Sequence, residues 1–231
     1  MEKRVAVLQS SYIPWKGYFH IMKLVDEFVL YDDVQFTKND WRNRNKIKTP
    51  QGIKWLTIPI PNKISHMKTK ICEVKIEDIF WPEKHWAAIE TNYKAAPYFS
   101  LMESSIRKMY EEAATKKYLS EINFIFLNGI AELLSITTRL TWSMDYNACG
   151  VKTDRLLDML KKMEAKIYLS GPSAKNYIEE NKFEELGIEL EWMKYEYPEY
   201  LQLYPPFEHT VTVLDVIFNC GREAPYYIYK E

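Results

Sequence analysis

The chain has 231 residues, 47% hydrophobic and 27% charged, with 31 basic against 32 acidic side chains and a net charge of −1. Such a chain can bury a core within one domain. The even charge balance gives no molecule-wide nucleic-acid footprint, and only 7 glycines argue against flexible linkers and a Gly-rich phosphate loop.

"RVAVLQ" at residues 4–9 predicts a short buried first strand. The loop "SSYIPWKGYF" follows, broken by Pro14. "YFHIMKLVDEF" then repeats apolar residues at Phe19, Met22, Leu24, Val25 and Phe28, the spacing of a helix with one buried face. "EFVLYDD" predicts a second strand ending in carboxylates, which completes a βαβ opening. "WRNRNKIKTPQGIKWLTIPIP" predicts an inserted hairpin turning near Pro50, Gln51 and Gly52. From Trp81 the pattern is helical three times over, in "PEKHWAAIETNYKAA", "LMESSIRKMYEEAATK" and "YLSEINFIFLNGIAELL". Pro82 suits a first turn and Pro97 separates the first two helices.

The last third returns to α/β. "TDRLLDMLKKME" predicts an amphipathic helix with Thr153 as N-cap, "AKIYLS" a strand, "GPSAKNYIEE" a turn opening a helix, and "IELEWMKY" another strand. "TVTVLDVIFNCG" predicts a final helix ended by Gly221. The expected architecture is one α/β domain over residues 1–231. It has a mainly parallel sheet from about 1–80 and 140–231, an inserted β-hairpin, and a helical segment at about 81–138.

Cys72, Cys149 and Cys220 lack CxxC or Cys/His ligand spacing, which argues against zinc and disulfides and fits a reducing cytoplasm. No apolar run reaches signal-peptide or transmembrane length, so a cytoplasmic protein without a membrane segment is expected. The 17 tyrosines and 7 tryptophans suit a site that stacks on planar or sugar-like surfaces, although core packing uses the same rings.

Polar chemistry is concentrated in three places. Residues 38–54 hold Lys38, Arg42, Arg44, Lys46, Lys48 and Lys54 against Asp40, six minus one, a local +5. Alternate side chains of a strand share a face, so Arg42, Arg44, Lys46 and Lys48 are expected to project together. Such a row repels itself unless it is solvated or meets an anion, and arginine forks match phosphate or carboxylate at two points. A solvated edge strand is the alternative. Asp32, Asp33 and Gln35 stand where an α/β fold places site carboxylates, able to act as base, amine holder or metal ligand, or simply to form a turn. Ser170, Gly171 and Ser173 lie between a strand and a helix, where backbone N–H groups receive phosphate; Lys175 in the first turn fits a bound anion better than it fits the helix alone. His20, His66, His85 and His209 are too dispersed for a metal cluster, and His85 and His209 are candidate bases.

Taken together, "LQSSYIPWKGYF", "DEFVLYDDVQFTKNDWRNRNKIKTPQGIKWLTIPI", "KHW…NY", "YLSGPSAKNY" and "FNCG" resemble the WbqC-like family over essentially the whole chain. Gln9, Ser10 and Tyr12 fit its Gln-Ser-x-Tyr opening. The resemblance implies bacterial surface-polysaccharide biosynthesis of the O-antigen or lipopolysaccharide kind, where nucleotide-activated amino sugars are made and decorated. The layout is also similar to the HUP-type nucleotide-binding fold. There an HxGH-like motif flanks the phosphates, whereas here Trp15-Lys16-Gly17-Tyr18 replaces it and leaves Lys16 and His20 to supply charge.

The resemblance implies the pathway more sharply than the reaction; within it, the expected activity is that of a cytoplasmic transferase attaching an acyl or aminoacyl group to the amine of a nucleotide-linked amino sugar. Asp33 or His85 is then the base, Arg44 and Asn45 face the oxyanion, and Arg42, Lys46 and the Ser170–Lys175 turn hold the diphosphate. Tyr12, Trp15 and Tyr18 stack on base or sugar, with Gln9 and Gln35 beside them. ATP and Mg²⁺ enter if the acyl group is activated in place, with Asp32 on the metal side. An ATP-dependent or aminoacyl-tRNA-dependent ligase is the first alternative, a non-catalytic sugar-nucleotide-binding or scaffold protein the second. A homodimer is left open.

Overall fold

A computed structural model of the chain describes residues 2–61 and 68–230. In chain order it runs through β1 (Arg4–Leu8), α1 (Lys16–Lys23), β2 (Glu27–Leu30) and the hairpin strands β3 (Arg44–Thr49) and β4 (Gly52–Thr57). Helices α2 (Trp81–Tyr93), α3 (Phe99–Ala113) and α4 (Leu119–Leu133) form the middle. Then come β5 (Arg139–Trp142), α5 (Lys152–Lys162), β6 (Ile167–Ser170), α6 (Asn181–Glu185), β7 (Glu189–Trp192), α7 (Val213–Cys220) and α8 (Ala224–Tyr229). Five strands make one parallel sheet in the order β5-β2-β1-β6-β7, while β3 and β4 pair antiparallel outside it. This is the expected α/β architecture, with a mainly parallel sheet, a separate hairpin and a helical middle.

The sheet is covered on both faces, which is why its central strands read as unbroken apolar runs. Val5, Val7 and Val29 pack with Leu157, Leu160 and Phe183 on one face. Ala6, Phe28 and Leu30 pack with Phe19, Phe126 and Phe218 on the other. The hairpin adds its inner face to that second cluster through Ile47 and Leu56. Its register sets Lys46 opposite Trp55 and Arg44 opposite Thr57, so these face outward. Strand order reverses at β1: the chain works outward through β2 and β5, then returns to β6 and β7. A crevice therefore opens between the carboxyl ends of β1 and β6, where open α/β sheets take ligands.

Two local expectations change, and one strand is unanticipated. The segment after β6 is a short 3-10 turn, Pro172–Asn176, and α6 begins only at Asn181. Only Ala174 of that turn is buried, so it lacks the apolar stripe that holds a longer helix in place. Thr153 is buried in the first turn of α5, and the N-cap is Val151. β5 is a four-residue strand without an apolar run of its own, held by pairing with β2 from Glu27↔Arg139 to Leu30↔Trp142. The end of α7 is as expected: Gly221 takes φ +53°, and a Cβ there would meet the Tyr98 ring at 2.3 Å. Among the described residues, no helix is long and apolar enough to cross a membrane.

Candidate functional site

The crevice is a cavity of about 590 Å³. The loop after β1 supplies Gln9, Ser11 and, at the N-cap of α1, Trp15; α1 itself supplies Tyr18, and the chain after β2 supplies Tyr31. Trp41, Arg42 and Asn45 come from the start of the hairpin, and Ser170, Gly171 and Ser173 from the end of β6. Tyr168, Tyr177 and Thr210 complete the wall.

The loop at 9–15 is held from behind. Asp32 is buried and accepts the Ser10 backbone N–H at 2.8 Å and the Ser120 hydroxyl at 2.6 Å. Asn123 donates to Ser10 Oγ at 2.9 Å, and Arg42 Nη1 donates to the Ser10 carbonyl at 3.1 Å. Asn45 donates to the Tyr12 and Ile13 carbonyls at 3.1 and 3.0 Å and accepts the Lys46 N–H. Side chains thus pair the polar groups of Ser10 and the carbonyls of Tyr12 and Ile13, and the Tyr12 N–H donates to the Trp41 carbonyl at 3.1 Å, so burial of the loop does not strand them. Burial pushes the Asp32 carboxyl above the usual range, against the pull of the two serine bonds.

Trp15 forms the wall next to this loop. Its indole lies over Gly17, where a Cβ would come within 2.3 Å of the ring, and it packs edge-on against Tyr195 at 5.0 Å. Tyr18 donates to the Gln9 carbonyl at 3.1 Å. Arg42 brings the charge: its guanidinium lies 3.7 Å from Asp40, and its buried Nε has no partner among the described residues. No other charged side chain among the described residues lines the cavity.

Of the residues singled out in the sequence, Gln9, Trp15, Tyr18, Arg42, Asn45, Ser170, Gly171 and Ser173 meet at this cavity. The others lie elsewhere. Tyr12 points inward, bonding Tyr110 Oη at 2.6 Å and His85 Nδ1 at 2.8 Å. His85 is buried in that aromatic cluster, and desolvation pulls its pKa down to about 4. Asp33 pairs with Arg155 and accepts the Ser143 hydroxyl at 2.6 Å, and Arg155 lies 5.3 Å from the Tyr31 ring. Gln35 is exposed and bridges to Lys70. His20 meets Tyr197 Oη at 3.1 Å, and Lys175 lies over Trp192. His209 packs edge-on against Phe207 with its pKa lowered by burial, and His66 lies outside the described residues.

The row of cations divides. Arg42 precedes β3 and enters the cavity wall. Arg44 binds the Asn39 carbonyl and lines a separate cavity of about 190 Å³ with Lys38. Lys46 donates to Thr210 Oγ1 at 3.2 Å. Lys48 is buried, donating to Gln202 Oε1 at 3.0 Å and to the Pro206 carbonyl. Strand alternation places Lys48 with its neighbours, but the segment 198–210 folds over that end and takes it out of solvent.

Lys16 is buried too, its ammonium lying 4.9 and 5.0 Å from the Tyr197 and Tyr200 rings and 3.5 Å from the Pro198 carbonyl. Burial lowers its pKa from 10.5 to about 8. In that window the unfolded chain still binds the proton and the folded chain has released it, so stability rises with pH. We expect a gain on the order of 2 kcal/mol, after allowance for solvent screening, that Lys16→Met lacks. Chemical denaturation of both proteins across pH 8 to 10.5 reads the difference directly. Parallel pH profiles would contradict it.

Trp41, Tyr31, Tyr168, Tyr177 and Thr210 were not singled out beforehand. Trp41 and Tyr177 sit inside the motif blocks, and Tyr31 follows the end of a strand, where side chains reach the crevice. Thr210 carries no local signal; it arrives with the irregular segment before α7.

The sequence profile of the WbqC-like protein family matches residues 9–227, a span that includes the lining from Gln9 to Thr210. "Uncharacterized protein Rv1507c" of Mycobacterium tuberculosis (strain ATCC 25618 / H37Rv) is 46% identical over 228 residues, covering 98% of this chain and 97% of the relative. No solved structure matches the chain.

Proposed function

The chain belongs to the WbqC-like protein family, and on that footing we propose that its cavity takes a nucleotide-linked amino sugar and that the protein attaches an acyl or aminoacyl group to the sugar amine. Family membership supports a role related to polysaccharide biosynthesis. The observation that carries the finer reading is Arg42, a guanidinium in an aromatic-walled crevice where the parallel sheet reverses. A guanidinium reads a phosphate through paired N–H bonds, and Trp15 and Trp41 offer rings to a base or sugar. Ser11, Ser170 and Ser173 offer hydroxyls to a sugar's own hydroxyls.

Acyl transfer to an amine needs the amine neutral, its nitrogen near the carbonyl carbon, and a donor for the oxyanion. Arg42 and the serine hydroxyls are donors this cavity offers, with the Gln9 amide and the Tyr31, Tyr177 and Thr210 hydroxyls also on its wall. Among the described residues, no carboxylate or imidazole lines it, so the amine proton leaves with the donor's own leaving group. The same feature favours a second reading, a module that binds the sugar nucleotide without turning it over.

Incubation with nucleotide-linked amino sugars plus acyl thioesters, or plus ATP and amino acids, followed by product mass, separates the two readings. A mass gain on the sugar amine supports transfer; binding without any gain supports the module. Arg42→Gln is expected to weaken calorimetric binding of the sugar nucleotide roughly 10- to 100-fold, from about 1.5–3 kcal/mol for a charge-assisted hydrogen bond. Unchanged affinity would remove the phosphate from Arg42 and the ligand from this cavity.

A further inference from the structure

The outer face of the β3–β4 hairpin is basic, aromatic and exposed. Trp41 and Trp55 are 39% and 41% exposed, with ring centroids 5.4 Å apart. The Arg44 guanidinium lies 4.4 Å over Trp55, and the Lys46 ammonium lies 5.5 Å from Trp41 and 5.4 Å from Trp55. The two nearby acids accept their hydrogen bonds elsewhere, Asp40 from Thr37 and the Trp41 N–H and Glu208 from Thr210, while Asp40 stays within the field of Arg42 and Arg44 and Glu208 within that of Lys46. Trp41 also lines the cavity, so this face leads without interruption into the proposed site.

Resting on the reading that an amine is acylated in the cavity, we infer that this face receives the single-stranded 3′ end of an RNA whose terminal ribose carries the aminoacyl group as an ester. Arg44 and Lys46 stand two residues apart on one strand face, about 6.8 Å, close to the repeat of a phosphodiester chain. Their heads lie against the indoles; one Arg44 nitrogen donates to the Asn39 carbonyl and Lys46 donates to Thr210 Oγ1. Their remaining N–H groups serve phosphates alongside aromatic edges for bases, the combination that grips single strands. Rings capped by cations suit bare apolar contact with lipid less well. The donor chemistry points the same way. A ribose ester brings a neighbouring hydroxyl into a cavity lined, among the described residues, by no carboxylate or imidazole. The amine nitrogen attacks the ester carbonyl, the new C–N bond forms and the C–O bond to ribose breaks. The amine proton reaches the departing ribose oxygen through the adjacent hydroxyl.

The test is binding of the full chain to a short fluorescent single-stranded RNA ending in CCA, across a salt series. Wild type binds, with affinity falling as salt rises. The double variant Arg44→Gln, Lys46→Gln loses at least tenfold and flattens the logarithmic salt slope by about 1.4, two contacts at about 0.7 each. Trp55→Ala weakens RNA about tenfold through lost stacking. Both variants keep the wild-type urea midpoint and far-ultraviolet circular dichroism, which shows that they fold. Absence of RNA binding at low salt, variants that bind RNA as well as wild type, or wild type that binds anionic phospholipid vesicles but not RNA would each overturn the inference. RNA failing while the sugar nucleotide still binds removes the donor alone. Sugar nucleotide failing while RNA still binds removes the cavity reading and, with it, the step inferred here.

Discussion

Asp215→Ala is expected to cost about 3–5 kcal/mol of folding stability, roughly 10 °C in Tm for a chain of this size. Asp215 is buried on α7 and accepts the Tyr93 hydroxyl at 2.8 Å on one oxygen. Its other oxygen accepts the Tyr200 hydroxyl at 2.8 Å and the Gln202 amide at 2.9 Å. Gln202 in turn accepts from buried Lys48, whose pKa burial lowers and the Asp215 charge partly restores. Removing the carboxylate strands two phenols, an amide and a buried cation together, and each stranded group bears its own desolvation cost. The knot joins α2, β3, α7 and the segment 198–210 that ends in Thr210 at the cavity wall. Urea unfolding measures the loss, and faster proteolysis within 198–210 should accompany it. A loss below about 1 kcal/mol would mean that the knot is only a surface network.

Asp32→Ala is expected to cost about 2–4 kcal/mol and to abolish sugar-nucleotide binding, because the buried Ser10 N–H and the Ser120 hydroxyl lose their acceptor. Asp32→Asn separates this anchoring role from a metal-side role. The amide keeps an acceptor for Ser10 and a similar shape, so stability should stay within about 1 kcal/mol of wild type and ligand binding should persist. Because burial raises the Asp32 pKa, the folded chain holds its proton to a higher pH than the unfolded chain does. The wild-type contribution is full below the unfolded value of 3.8 and is lost as pH rises through the folded one. The asparagine variant lacks that loss and should gain on wild type from acid to neutral pH. An Asn variant that folds and binds but loses turnover only when Mg²⁺ is supplied would return Asp32 to the metal.

The two aspartates show where a linear reading stops. Their position at the end of β2 marked them as site carboxylates, yet Asp32 turns to Ser10 and Ser120, while Asp33 turns to Ser143 and Arg155. Those partners lie far from the pair in the chain, in the loop after β1, on α4, in the turn after β5 and on α5. Nothing within a few residues of "YDD" foretells them. Asn45, set beforehand at the oxyanion, spends its amide on two loop carbonyls instead.

By itself, the sequence determined the α/β class, the βαβ opening, the inserted hairpin, the helical middle and the glycine that ends α7. Hydrophobic period and turn residues act over a few positions, and those features need no more than that. Tertiary structure alone decided which residues share the crevice and where each cation of the hairpin goes. Arg42 enters the cavity wall, Arg44 and Lys46 stay on the outer face, and Lys48 is buried. The reason is reach and cover. Alternation fixes the side of a strand on which a long side chain starts, but distant segments that pack over that side decide whether its charge ends in water, in a cavity or in a buried knot.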